Sequence, residues 1–548
     1  MNLARAFFDS ARRDWPKTAL FWGDAEFSYG ELWSRSVWVA ERLAQDFGVQ
    51  PGDRVGIWLK NCPEFIPALF GILQAGAVAV PINHFLKAGE VQFILSDAGI
   101  ATLITDAMPD ALAALRAARP QLRTLFAEQI SAAPLSAHSA DAPVSCRVAP
   151  VAQSPNPQSA IRNPQSSRGS TASSASAGPT ADRPPTVGKI PPSSALAVII
   201  YTSGTTGHPK GAMLSHANFL ANLESCRVVL EAVGQDRFVV LLPMFHSFML
   251  TVGILLPLYV GGSIVLVKSL HPAKNILQEI IRHRATLLPA VPQFFRSLAR
   301  AAVPADLPLR VCISGAAPLP AEILREFSSR FPFPLLEGYG LSEASPVVSF
   351  NPIRGPWKAG SIGLPISGVE ISTQDDAGAI LGPDRTGEIC VRGPNVMLGY
   401  WNQPRETARV FRGGWLLTGD IGHHDRDGYF YITDRKKDML LVNGLNVYPR
   451  EIEEILYQFP GVREAAVIGL SDARKGEQPL AFVSPGDGIT LDPAALLQFL
   501  RERLADYKLP RQIFILPDLP RNATGKILKT HLRQMLAAGQ LPGGAPLA

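Results

Sequence analysis

The residues best suited to chemistry lie in one stretch, Tyr201–Gly211, which reads Tyr-Thr-Ser-Gly-Thr-Thr-Gly-His-Pro-Lys-Gly. Gly204, Gly207 and Gly211 let a backbone approach a ligand closely. Thr202, Ser203, Thr205 and Thr206 supply hydroxyls, the chain supplies amide N–H groups, and Lys210 adds a positive charge. Such a set is a cradle for a polyphosphate. The spacing is not that of a Walker A loop, because His208-Pro209 separates Gly207 from Lys210 and no Gly-Lys-Ser/Thr follows. The apolar run Ala195–Ile200 ahead of it predicts a buried strand.

Three further stretches carry groups of the right kind. Glu337-Gly338-Tyr339-Gly340-Leu341-Ser342-Glu343 offers a tight turn, an aromatic face for a purine and a carboxylate at Glu343 suited to Mg²⁺. Ser314-Gly315-Ala316-Ala317-Pro318 follows an expected strand, Leu309–Ile313, and small-residue turns at strand C-termini are where open α/β sheets bind ligands. Thr418-Gly419-Asp420 holds a carboxylate that can accept two ribose hydroxyls. Taken alone, each of these also fits an ordinary turn.

Together these strings resemble the adenylate-forming superfamily, which contains acyl-CoA synthetases, peptide-synthetase adenylation domains and firefly-type luciferases. The resemblance spans nearly the whole chain except Ser131–Pro192, and the motifs follow the family order. It implies that Tyr201–Gly211 holds the triphosphate, that Thr202 and Glu343 meet the metal, and that Ser342, where the family more often has Thr, meets the phosphate. It further implies that Gly315 and Ala316 flank adenine, and that Asp420 and Arg435 hold the ribose. Asp434–Glu453 resembles the family hinge and the lid's first loop, with Lys437 at the pivot and Asn443–Val447, around Gly444, on the loop that enters the site for thioester formation. Pro520-Arg521-Asn522-Ala523-Thr524-Gly525-Lys526 resembles the loop whose lysine reaches the acyl carboxylate and α-phosphate. The implied co-substrates are ATP and coenzyme A, with Mg²⁺.

The elements that must position these groups alternate. Tyr29–Phe47 has apolar residues at helical spacing, Arg54–Leu59 reads as a strand, Glu64–Gln74 as a helix and Ala75–Ile82 as a strand. This alternation predicts an α/β layered domain with mostly parallel sheets over residues 1–434, and a small mobile α+β lid over 435–548. From 131 to 192 Ser, Ala and Pro dominate, and Asn-Pro-Gln-Ser occurs at 156 and again at 163. Such an insertion has too little apolar surface to offset its ordering entropy. Replacing it by a short Gly/Ser linker should leave turnover and melting temperature nearly unchanged; a fall of many degrees would show an ordered element there.

The acid is read from Pro243–Leu250, which resembles the family's acid pocket and contains His246, expected beside the acyl carboxylate or in the pocket wall. Phe238–Val267 holds no Asp, Glu, Lys or Arg. It parses as strand, turn, helix and strand around Pro243, Pro257 and Gly261-Gly262 rather than as a membrane span. A peptide-synthetase domain often carries an Asp near Phe245 for an amino group, and none stands here. The uncharged wall favours an aliphatic chain, and Gly393–Arg450 most resembles medium- and long-chain fatty acyl-CoA ligases. A ligase for an aromatic acid, or one that loads an acyl-carrier protein, is the alternative. The 548 residues suffice for several domains. The net charge of +5 makes no case for nucleic acid. Cysteines 62, 146, 226, 312 and 390 form no C-x-x-C pair and fit a reducing, cytoplasmic setting, with peripheral contact to a membrane face left open.

Overall fold

A computed structural model describes residues 1–106, 109–135, 192–202, 209–270, 272, 274–304, 306–443, 445–472, 476–522 and 525–541. Residues 136–191, the body of the expected insertion, lie outside the described residues.

The large domain is built on two sheets that share one core. In the first, the strands Thr18–Trp22, Ser263–Leu266, Arg237–Val240, Leu287–Ala290, Val311–Ser314 and Leu335–Gly340 run parallel in that spatial order. Antiparallel strands Ala25–Ser28, Val347–Phe350 and Leu364–Pro365 finish its edges. In the second, Arg123–Phe126, Thr102–Thr105, Arg54–Trp58, Val78–Pro81 and Leu196–Thr202 run parallel, and Lys210–Ser215 and Gly399–Tyr400 add antiparallel. Phe7, Tyr29 and Phe70, from the helices Leu3–Arg13, Tyr29–Gln45 and Phe65–Gln74, share that core with Phe238 of the first sheet and Val198 of the second. The helix Tyr29–Gln45 starts where expected because Ser28 and Glu31 form a capping box. Parallel strands buried on both faces read as unbroken apolar runs, which is why their alternation with helices was legible.

Two stretches depart from the alternation. Glu370–Gln374, Gly387–Arg392, Phe411–Arg412, Trp415–His424 and Phe430–Arg435 form a third sheet that is antiparallel throughout. The charge-free stretch 238–267 is the expected strand–helix–strand, but its helix opens as a π-helix, Met249–Leu255, before the α-helical Leu256–Val260. It is uncharged because it is core: Met249, Leu250, Ile254 and Leu256 are buried. Among the described residues no helix is long and apolar enough to cross a membrane.

The small domain has its own sheet. Val462–Asp472, Gly476–Pro485, Leu440–Val442 and Leu445–Val447 pair antiparallel, and Gln512–Ile515 joins Gly476–Pro485 in parallel. The helices Pro449–Tyr457 and Pro493–Arg501 bury Ile452, Leu456, Leu496 and Leu500 in one core of this domain, and Lys529–Ala537 buries Leu532 in another. The stretch 434–450, which resembles the family hinge and the loop after it, thus contributes two strands of this sheet. Only the turn at 436–439 separates the third sheet from it.

Candidate active site

A cleft of about 1070 Å³ opens at the C-terminal ends of Val311–Ser314 and Leu335–Gly340 and is closed on one side by the small domain. Tyr201, Thr202, Lys210, Gly315, Ala316, Gly338, Tyr339, Gly340, Ser342, Glu343, Asp420, Arg435, Lys437, Lys526 and His246 all line it. They come from both domains and from across the chain. Ser203, Gly204, Thr205, Thr206, Gly207 and Gly444 lie outside the described residues. The backbone at the adenine side is specialised. Ala316 sits at φ +66, a left-handed conformation that costs a non-glycine residue energy. A Cβ on Gly340 would lie 2.1 Å from the Pro346 carbonyl oxygen, so that turn admits only glycine.

One corner gathers the groups expected at the ribose. Asp420 and Arg435 are cross-strand neighbours on Trp415–His424 and Phe430–Arg435, and their side chains pair at 3.2 Å. The Tyr339 hydroxyl donates to Asp420 Oδ2 at 2.5 Å, and burial beside this carboxylate pushes the phenol well above its ordinary range. Beneath them Glu388 accepts the Gly419 N–H at 3.1 Å and the Lys436 ammonium at 3.1 Å. Glu388 is missing from the sequence reading because an isolated Glu in a strand carries no local signal.

The string expected to hold the triphosphate begins and ends on strands. Tyr201-Thr202 and Lys210-Gly211 are paired strand residues, Thr202 opposite Lys210. Lys210 is buried and hydrogen-bonded to Glu406, with its ammonium 5.3 Å from the Tyr400 ring centroid. The Tyr400 hydroxyl donates to Glu343 Oε1 at 2.9 Å. Ser342 Oγ lies 3.0 Å from Ser247 Oγ. Glu406 and Tyr400 are partners that only folding reveals. The donor set that a cation would meet is one carboxylate, Glu343, and one hydroxyl, Thr202. That fits Mg²⁺, which completes its octahedron with water and phosphate oxygens.

Glu337 requires a correction. It is buried, its carboxylate accepts the Leu319 N–H at 3.0 Å, and it is turned away from the cleft. Burial pushes its pKa up to about 7, with the Arg450 charge opposing. It is not among the residues that line the cleft.

At the acid end, His246 accepts the Phe248 N–H at Nδ1, 3.3 Å away. Burial, and then the Lys526 charge, push its pKa down to about 4, so it is a neutral imidazole with its proton on Nε2. Lys526 itself is pushed down to about 7, first by burial and then by Arg435. Lys437 is lowered in direction by burial and by Arg435.

Residues 7–401 match the AMP-binding enzyme family, and residues 451–526 match the AMP-binding enzyme C-terminal domain. The chain belongs to the AMP-binding enzyme family. It is similar to a long-chain-fatty-acid–CoA ligase of Bacillus subtilis (strain 168), 36% identical over 96% of this chain and 92% of that one. It is 35% identical to a feruloyl-CoA synthase of an Amycolatopsis species, over 94% of this chain and 95% of the relative. Among solved structures, ATP-bound MatB from Rhodopseudomonas palustris superposes with a TM-score of 0.82 at 31% identity, over 98% of this chain and 99% of that one. This AMP-binding enzyme is therefore an adenylate-forming, ATP-using acid–CoA ligase close to the fatty acid–CoA ligases.

Proposed function

We propose that the acid is a medium- or long-chain fatty acid, activated in two steps at this one cleft. The observation that carries the reading is the set of apolar side chains in the lining of the cleft. Leu230, Phe248, Val252, Ile313, Val347 and Phe350 line it together with His246 and Lys526. Apolar side chains of this kind favour an alkyl chain by burial. The relation to a feruloyl-CoA synthase keeps an aromatic acid as the second reading.

In the first step a carboxylate oxygen attacks the α-phosphorus of ATP. The bond from that phosphorus to the bridging oxygen breaks, and pyrophosphate leaves. In the second, the sulfur of coenzyme A attacks the acyl carbonyl, the bond to AMP breaks, and the thiol proton is released. Asp420 and Arg435 would hold the ribose, and the aromatic face of Tyr339 the adenine. Lys526 would meet the charge spread over the acyl carboxylate and α-phosphate, and the His246 Nε2–H would donate to the carboxylate. Mg²⁺ held by Glu343 and Thr202 would neutralise phosphate charge. Lys437 would be the pivot on which the small domain turns between steps, bringing the loop around Gly444 to the thiol.

Supplied with ATP, Mg²⁺ and coenzyme A, the protein should release AMP with C8–C18 acids; release of ADP, or activity with amino acids alone, refutes the reading. AMP release confined to feruloyl-type acids selects the second reading.

A pH dependence follows from Lys526. The ammonium is the useful form, and in the free enzyme it is lost as pH rises through about 7. Pyrophosphate exchange at subsaturating ATP should therefore decline above about pH 7, by up to about tenfold per unit. In Lys526→Arg the residual activity should be flat over that range. A flat profile in the unaltered enzyme refutes the assignment.

A further inference from the structure

On the reading above, two small-domain segments serve the cleft; among the described residues Lys526 lines it, and none of 440–443 or 445–447 does. Lys526 lines the cleft, whereas Leu441 and Leu445, on the hairpin that carries the second loop, are half exposed at 49% and 50%. The small domain is therefore held in one orientation, and one crossing contact stands far from the pivot. Arg296, on the large-domain helix Pro292–Arg300, is only 3% exposed. Its Nη1 donates to the Arg463 carbonyl at the start of the small-domain strand Val462–Asp472, and its guanidinium lies 5.9 Å from the ring centroid of Tyr457 on Pro449–Tyr457. Its Nη2 donates to Glu322 at 3.3 Å on its own domain. The acceptor is rigid, because the Arg463 side chain is itself tied to Ser484 and Asp518. Arg450 also crosses, donating to Asp434 and to the Ile432 carbonyl. Those acceptors stand beside the turn at 436–439, where a rotation moves little.

We propose that Arg296 is a latch, a positioning residue that holds the small domain with Lys526 in the cleft; this rests on the reading that the domain turns between the two half-reactions. A guanidinium buried to this degree needs its partners. Two of the three belong to the small domain, so turning that domain strips them away. The latch thus biases the pair of orientations toward adenylation, in proportion to the contacts it makes in one orientation and loses in the other.

The test compares half-reactions in Arg296→Met, which keeps the stem and removes the fork, and in Arg296→Lys, which keeps the charge. Pyrophosphate exchange should fall about tenfold in Arg296→Met, the scale of one charge-assisted hydrogen bond, and less in Arg296→Lys. Thioester formation from preformed acyl-AMP should be unchanged or faster in both. Equal losses in both half-reactions, or no change in either, overturn the latch. If Arg296→Met does not fold, Arg296→Lys carries the same comparison. Small-angle scattering of the ligand-free protein gives a readout independent of substrate. A changed interdomain arrangement in the variant supports the latch, and an unchanged one overturns it. Absence of exchange by the unaltered protein with every acid sinks the proposed function, and the latch is then judged by scattering.

Discussion

Lys526→Ala should abolish acyl-adenylate formation while sparing thioester formation from preformed acyl-AMP. Lys526 lines the cleft within the field of Arg435, Asp420 and Lys437 and close enough to His246 to depress its pKa. An ammonium placed there is matched to negative charge that develops on the α-phosphate only in the first step. Removing one preorganised donor of this kind costs about 3 kcal/mol or more, a hundredfold or greater loss. The same substitution should raise the melting temperature of the ligand-free protein. The folded pKa lies below the ordinary lysine value, so between about pH 7 and 10 the unfolded chain binds more protons than the folded one. This group therefore destabilises the fold at pH 7–8, and its penalty lessens as pH rises toward 10. Thermal melts at two pH values, with the two half-reactions assayed separately, check both halves. Equal losses in the two half-reactions, with a lowered melting temperature, would identify a folding role instead.

Lys437→Pro should separate the half-reactions in the other sense. Lys437 sits in the turn between the third sheet and the small-domain sheet, where Lys436 donates to the Gly419 carbonyl and Asp438 to the Arg435 carbonyl. Among the described residues the Lys437 amide makes no such backbone bond, and its φ is not among the positive ones. Proline therefore costs no hydrogen bond in this orientation and locks φ near −65°. It does press Lys436 out of the α region, so exchange should persist at a reduced rate. A rotation concentrated at this residue becomes unavailable at a cost of about 3 kcal/mol. Thioester formation from acyl-AMP should then fall by about a hundredfold or more. Survival of both activities, or proportional loss of both, would return the basic run 435–437 to the status of a solvated patch.

What the sequence alone determined is local. The parallel α/β layering was readable because strands buried on both faces are apolar without interruption, and because Ser28 with Glu31 announces its own helix. The candidate site strings were readable because glycines, hydroxyls and charges at short spacing have few other uses. The tertiary structure decided everything that depends on which distant segments meet. It turned Glu337 inward, where its carboxylate accepts the Leu319 N–H. It split the phosphate string between two paired strands and gave the buried Lys210 a partner, Glu406, nearly two hundred residues away. It also set Tyr400 against Glu343 and Arg296 against the Arg463 carbonyl. None of these pairs has a signature in its own segment, because a carboxylate or guanidinium reads as solvated until folding removes the water and leaves it needing a partner.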